Sequence, residues 1–232
     1  MSDDVVGRAA AVRTAVVEAA RRVGRDAAAI RIIAVTKTFP PAAVQAALNA
    51  GIEDIGENYV QEARAKRAAA DGDTVWHLIG GLQRNKVRAA VATFDWIHTV
   101  DAAPLAAALD AEAARSGRRL AVLIQVNVAG ETQKRGVAPE GVETLAGEVL
   151  RMAGLRLEGL MTVPPAGASR THFQTLRQVR ERAATRLGVE LPHLSMGMSD
   201  DFAVAVEEGA TMLRLGRALF GPRGRGTWRE GS

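Results

Sequence analysis

Four lysines stand among 26 arginines in this chain, and one of them, Lys37, closes the β-branched run RIIAVTK. Arginine keeps its proton throughout the physiological range, whereas a lysine amine is neutralised where an apolar wall desolvates it. Lys37 is therefore the candidate for an amine nucleophile that condenses with a carbonyl. The plain alternative is a lysine that snorkels to solvent from a strand end. Lys66, inside EARAKRAAA, reads as part of a solvated helix face. A second cluster joins Ser199, ahead of Asp200-Asp201-Phe202, to Gly216 and Arg217. Ser199 reads first as a helix N-cap. It also reads as part of an anion site, where free N–H groups at a helix start meet a phosphate. Gly216 lets backbone approach such a ligand closely, and the Arg217 N–H can join it. Asp200 and Asp201 must point away for this to work. Arg214, two residues before Gly216, either makes a salt bridge at a strand end or donates to a ring nitrogen or acid group. Asn58 is a polar neighbour able to hold a ring substituent. His77, His98, His172 and His193 show no metal-ligand spacing with one another or with acids, so no metal site is expected.

Elements of one repeating type must position these residues. Runs at Arg31–Lys37, Ile52–Ile55, Val75–Gly80, Trp96–Val100, Leu120–Val128, Leu155–Thr162, Pro192–Met196 and Thr211–Gly216 alternate with Ala/Leu/Arg segments of helical period. Nearly continuous apolar runs such as LAVLIQVNV fit parallel strands covered on both faces. Pro40-Pro41 can open a helix that Gly51 closes, and Asp101 precedes another that Gly117 ends. Val5, Val12, Val16 and Val23 make one stripe of an extra helix before the first strand. An open nucleotide-binding sheet would carry a Gly-rich first turn. Here that turn is Thr36-Lys37-Thr38-Phe39-Pro40, and neither GxxxxGK[ST] nor GxGxxG follows a strand. The expected fold is α/β, a single (β/α)8 barrel over residues 1–232, with an extra helix in 1–24 and a flexible Arg/Gly-rich tail in 222–232. Its chemistry belongs at the carboxyl ends of the strands, with phosphate near the loops after strands 7 and 8. That rule also brings in Glu57 and Tyr59, Gln83, Asn85 and Lys86, Gln125 and Asn127, Lys134, and the segment from Ser195 to Ser199.

Composition narrows the function classes. The chain has 232 residues, 47% of them apolar, and no cysteine. That excludes disulfides, thiolate zinc sites and a cysteine nucleophile, and no GxSxG elbow is present. The net charge is +4, but Arg217, Arg223, Arg225 and Arg229 against Glu230 place most of it in the tail. With 4% aromatics there are few platforms for base stacking, so no nucleic-acid partner is expected. No apolar run is long enough to span a bilayer and no export signal opens the sequence, so a cytoplasmic protein without membrane association is expected.

A strand-end lysine opposite a phosphate cradle fits two chemistries: pyridoxal phosphate held as a Schiff base, or an aldolase whose lysine attacks a sugar phosphate. Periodicity does not separate them. The segments AVTKTFP, IGENYVQEA, WHLIGGLQRNK, LIQVNVAGETQKRGV, GLMTVPP and HLSMGMSDDFAVAVEEGATMLRLGRALFG closely resemble, in order, the pyridoxal phosphate homeostasis protein family. The resemblance runs from about residue 30 to Gly221. It implies a barrel like the N-terminal domain of alanine racemase, with pyridoxal 5′-phosphate bound to Lys37 as a Schiff base. It places the phosphate on Ser199, Gly216 and the backbone of Arg217, and sets Arg214 against the pyridine nitrogen. A guanidinium there keeps that nitrogen unprotonated and weakens the cofactor as an electron sink. Racemases of this fold add a β-rich domain that supplies a tyrosine base; none is expected here, and the sole tyrosine is Tyr59. The resemblance accordingly implies a cofactor carrier rather than an efficient enzyme, acting in vitamin B6 and amino-acid/keto-acid balance; nothing demands a dimer to complete the site, so a monomer is expected. Apo-enzymes or B6-metabolic enzymes would be its partners. Family members often carry a second lysine where this chain has Phe39. Lys134 matches a family lysine and is the candidate for a secondary Schiff base.

Overall fold

The alternating runs close on themselves. A computed structural model of the chain describes residues 2–70, 72–165 and 169–222. Eight parallel strands form a closed barrel in sequence order: β1 (Arg31–Val35), β2 (Asp54–Glu57), β3 (Val75–Leu78), β4 (Trp96–Val100), β5 (Leu120–Gln125), β6 (Leu155–Met161), β7 (His193–Ser195) and β8 (Met212–Leu215). The helices among the described residues are α1 (Ser2–Arg22), α2 (Ala42–Asn49), α3 (Val60–Ala68), α4 (Val87–Thr93), α5 (Ala103–Arg115), α6 (Val142–Val149), α7 (Ser169–Leu187), α8 (Phe202–Glu207) and α9 (Arg217–Phe220). Closure is made by β1 against β8, with Ile33 level with Arg214 and Ala34 level with Leu215.

Strand alternation divides the apolar residues between two cores. Ile33, Trp96, Ala121, Leu123, Met161 and Met212 fill the inside of the barrel. The opposite strand faces join the helices in the larger outer core, through residues such as Ile55, Leu78, Ile97, Val122 and Leu194. All six residues of β5 are buried, as its unbroken apolar run requires. Each fully buried large side chain of this kind contributes about 1.5–3 kcal/mol.

Six of the strands stop short of the carboxyl ends of their apolar runs. β1 stops at Val35, so Lys37 lies in the turn beyond it, and β3 stops at Leu78. β2 is displaced from the expected Ile52–Ile55 to Asp54–Glu57, because Gly56 and the buried Glu57 give it no apolar signature. On α1, Val5, Val12 and Val16 are buried, but Val23 is 44% exposed, since the helix ends at Arg22 and the chain turns at Gly24 with φ +66°. Expectations for the Arg/Gly-rich tail after Pro222 lie outside the described residues.

Candidate functional site

The turn after β1 carries Lys37, and the molecule holds that turn by buried charge. The Nζ of Lys66 on α3 donates to the Thr36 carbonyl at 2.6 Å, to Glu57 Oε1 at 2.6 Å and to Glu62 Oε1 at 2.7 Å. Thr36 Oγ1 donates to Glu57 Oε1 at 2.6 Å, and the Thr38 N–H donates to Glu62 Oε1 at 2.6 Å. Lys66 is completely buried. The expectation of a solvated face is thus corrected: α3 turns this lysine inward, where Glu57 and Glu62 take up its charge. Burial raises the pKa of Glu57, and the Lys66 ammonium draws it back. Glu57 Oε2 and Thr38 Oγ1 are buried without a hydrogen-bond partner among the described residues.

Lys37 itself is half-buried, two residues past β1. The turn it sits in packs onto the end of α9, with the Phe39 and Phe220 rings 5.1 Å apart. On that side Gly216 lies against Val35: a Cβ placed on Gly216 would be 3.5 Å from the Val35 carbonyl oxygen. Ser199 Oγ accepts the N–H of Ala218 at 3.0 Å. The N-cap expectation is corrected here, because the α8 cap position belongs to Asp201 and the turn Met198–Asp201 directs Ser199 toward α9. Neither the Gly216 nor the Arg217 N–H has an acceptor among the described residues. Gly216 is partly buried and Arg217 exposed, so both donors are open to a ligand or to solvent.

The two aspartates have partners of their own. Asp200 pairs with the exposed Arg217 guanidinium. Asp201 accepts from the Met198 N–H at 2.7 Å and from Ser169 Oγ at 2.6 Å. The Arg217 side chain thus serves Asp200, which leaves its backbone N–H as the candidate donor.

Arg214 has no carboxylate partner within salt-bridge distance among the described residues, so the salt-bridge alternative does not hold. Only 4% exposed, it donates from Nη1 to Ser195 Oγ at 2.7 Å and from Nη2 to the Thr162 carbonyl at 2.8 Å. Burial pushes its pKa down to about 10, with Asp201 pulling the other way. It remains a cation at neutral pH. Asn58, half-buried after β2, is pressed against β3's exit, where a Cβ on Gly80 would come within 2.4 Å of the Asn58 carbonyl.

Other rim residues have structural work. Gln125 Nε2 donates to the Arg135 carbonyl at 3.2 Å, and Asn127 Nδ2 to that of Glu131 at 2.8 Å, folding back the loop after β5. Lys134 in that loop pairs with Glu131 at 2.9 Å. Lys86 Nζ reaches Gln61 at 3.3 Å. Tyr59 is 59% exposed. The histidines show no mutual spacing in sequence, yet the barrel brings His77 into hydrogen-bond reach of His98 and Asp54.

The arrangement combines a strand-end amine, free backbone donors beside a serine hydroxyl, and a buried cation. It suits a small anionic ligand with a carbonyl and a ring acceptor. Known proteins resemble this chain over most of its length. Residues 10–224 match the family model described as alanine racemase, N-terminal domain. A Pseudomonas aeruginosa protein named pyridoxal phosphate homeostasis protein is 45% identical over 211 residues, covering 90% of this chain and 91% of that one. Among solved structures, PipY of Synechococcus elongatus with PLP bound superposes with a TM-score of 0.82 at 35% identity, over 94% of this chain and 100% of that one. Alanine racemase from Corynebacterium glutamicum shares the fold, with a TM-score of 0.75 at 15% identity over 99% of this chain and 64% of its own. The chain belongs to the pyridoxal phosphate homeostasis protein family.

Proposed function

We propose that this chain binds pyridoxal 5′-phosphate through Lys37 and keeps it for intracellular cofactor homeostasis, by storage, buffering or delivery, without efficient catalysis. The observation that carries the reading is the meeting of the Lys37 turn, Ser199 and the open N–H groups of Gly216 and Arg217 at the ends of β1, β7 and β8. The names and the bound PLP of the relatives support it. When bound, the cofactor supplies an aldehyde for condensation with an amine and a ring that can accept electrons.

Each residue then has a task. The Lys37 amine forms the covalent link. The Ser199 hydroxyl and the Gly216 and Arg217 N–H groups hold the phosphate. Arg214 donates to the ring nitrogen; unable to take up or readily give a proton, it leaves that nitrogen unprotonated and the ring a poor electron sink. Asn58 contacts a ring substituent. A second proton carrier opposed to Lys37 is what racemisation requires, and the one tyrosine is largely in solvent. We place the protein in the cytoplasm as a monomer, with B6-dependent apo-enzymes as recipients of the cofactor.

Adding pyridoxal phosphate to the purified protein should produce a visible absorbance band. Borohydride should then fix the cofactor's mass on the peptide containing Lys37, and Lys37→Ala should abolish both. A protein that stays colourless and unlabelled rejects the reading. Exchange of amino-acid α-protons at enzymic rates would reject its non-catalytic part.

A further inference from the structure

Five side chains on five strands form one hydrogen-bonded chain through the barrel interior. Asp54 Oδ1 on β2 is 2.8 Å from His77 Nε2 on β3, and His77 Nδ1 is 2.9 Å from His98 Nε2 on β4. His98 Nδ1 is 2.9 Å from Ser195 Oγ on β7, which accepts from Arg214 Nη1 on β8 at 2.7 Å. His77, His98 and Ser195 have no exposure at all.

The two ends fix the direction of every proton. Arginine only donates, so its N–H points at Ser195; a carboxylate only accepts, so the His77 Nε2–H points at Asp54. Burial lowers the pKa of both histidines, so each ring carries one hydrogen. His77 then has a bare Nδ1, which takes the Nε2–H of His98. His98 is left with a bare Nδ1, which the Ser195 hydroxyl hydrogen fills. One hydrogen occupies each gap, and all donors run from Arg214 toward Asp54. Aligned in this way, the bonds polarise one another in a dry interior.

We infer that Asp54, His77, His98 and Ser195 are positioning residues for Arg214, fixing the guanidinium so that its free edge meets the cofactor's ring nitrogen. The inference rests on the Arg214 role proposed above. It accounts for a buried cation whose hydrogen-bond partners are both neutral: the aligned chain runs to the Asp54 carboxylate, while Asp201 acts on the guanidinium through space. Asp54 is itself partly exposed, its side chain at 21%, and lines a cavity of 480 Å³ beneath α1. The other charged or titratable groups facing the chain are Arg31 and Asp95 beside His77, His193 and His77 beside His98, and Asp201 beside Arg214.

Nitrogen-15 NMR of the histidine rings in ligand-free protein reads the tautomers directly. His77 and His98 should both carry hydrogen on Nε2 and stay neutral through the ordinary histidine range. A hydrogen on His98 Nδ1, or a doubly protonated ring at neutral pH, overturns the inference. Cofactor release from loaded protein gives the second arm. Ser195→Ala and His98→Asn should each speed release by roughly 2- to 13-fold, the value of one hydrogen bond. Ser195→Thr, which keeps the hydroxyl, should restore the slow rate. In an Arg214→Lys background the same substitutions should add nothing, a non-additivity that a purely structural network would not produce. Asp54→Asn, isosteric and partly exposed, provides a folded variant if the buried ones fail to fold, and should also speed release. Release rates unchanged in folded variants overturn the inference. Wild-type protein that takes no cofactor on Lys37 would defeat the binding proposal instead, leaving the tautomer result standing.

Discussion

Thr38 holds φ at +66°, the only positive value at a non-glycine among the described residues. A β-branched residue in the left-handed region costs about 1–2 kcal/mol. The neighbouring bonds explain why it stays there: its N–H is fastened to Glu62, and the Thr36 carbonyl to Lys66. Thr38→Gly removes that strain but frees the unfolded chain by about 0.4–1 kcal/mol. Stability to urea should therefore rise by only about 0.5 kcal/mol. The turn presenting Lys37 should loosen, and cofactor should leave faster. Lys66→Met is expected to act in the opposite sense. It strands Glu57 and Glu62 in the interior and should cost about 3–5 kcal/mol in denaturant unfolding, part of which Glu57→Gln in the same chain should recover. Nothing in EARAKRAAA announces this role except two faint marks. Lys66 is one of four lysines in an arginine-rich chain, and Glu62 stands four residues before it on one helix face. Lys37, Ser199 and Gly216 stand out as candidates in the sequence because each follows a strand, where position in a barrel marks the rim. The chain from Asp54 to Arg214 was not, because its partners are 19 to 97 residues apart in sequence. Only the barrel register turns them to one side.

Among the elements, strand positions were readable from β-branched runs wherever side chains announced them, as at Trp96–Val100. The runs mislead at β2, where Gly56 and Glu57 give no apolar signature, whereas β6 is readable in spite of its glycine. β6 shows what such a glycine does. At Gly159 the φ is +151°, and a Cβ would lie 1.9 Å from the His193 carbonyl of β7. The register between β5 and β6 shifts at the same level, between Val122 and Leu123. The backbone of β6 thus bulges into β7, and only glycine permits the approach. Gly159→Ala cannot be relieved by a side-chain rotation, because the obstacle is backbone. We expect it to destabilise the barrel by at least about 3 kcal/mol or to abolish soluble expression, as read by urea unfolding. Gly188→Ala, at φ +64° with open space around the new methyl, should cost only about 1 kcal/mol. Equal losses at the two positions would show that conformational strain, rather than the close approach of β6 to β7, sets the requirement.

For the whole molecule, the interior polar chain ties stability to pH. Burial lowers the pKa of both His77 and His98 in the folded barrel, with a neighbouring histidine and Arg214 adding to it for His98. In the unfolded chain each returns to the ordinary value near 6.5. Below that pH the unfolded state binds protons that the folded state refuses, so unfolding becomes easier as acid is added. The two rings together set a limiting slope of about 2.7 kcal/mol per pH unit, at 1.36 kcal/mol for each proton. The loss begins as pH falls through about 6.5 and continues until the folded rings themselves accept protons. Glu57 has the opposite sign. Its folded pKa is raised above the usual 4.5, so it keeps a proton that the unfolded chain has released, and its contribution weakens as pH rises through that interval. His193, whose pKa burial also lowers, adds to the histidine effect, and Glu57 and Asp101, both raised by burial, oppose it where their titrations overlap it. Urea midpoints measured from neutral pH downward should fall steeply, and the slope should drop by about one proton in His98→Asn. A midpoint independent of pH through this range would mean that the two rings take up protons in the folded barrel as readily as in water.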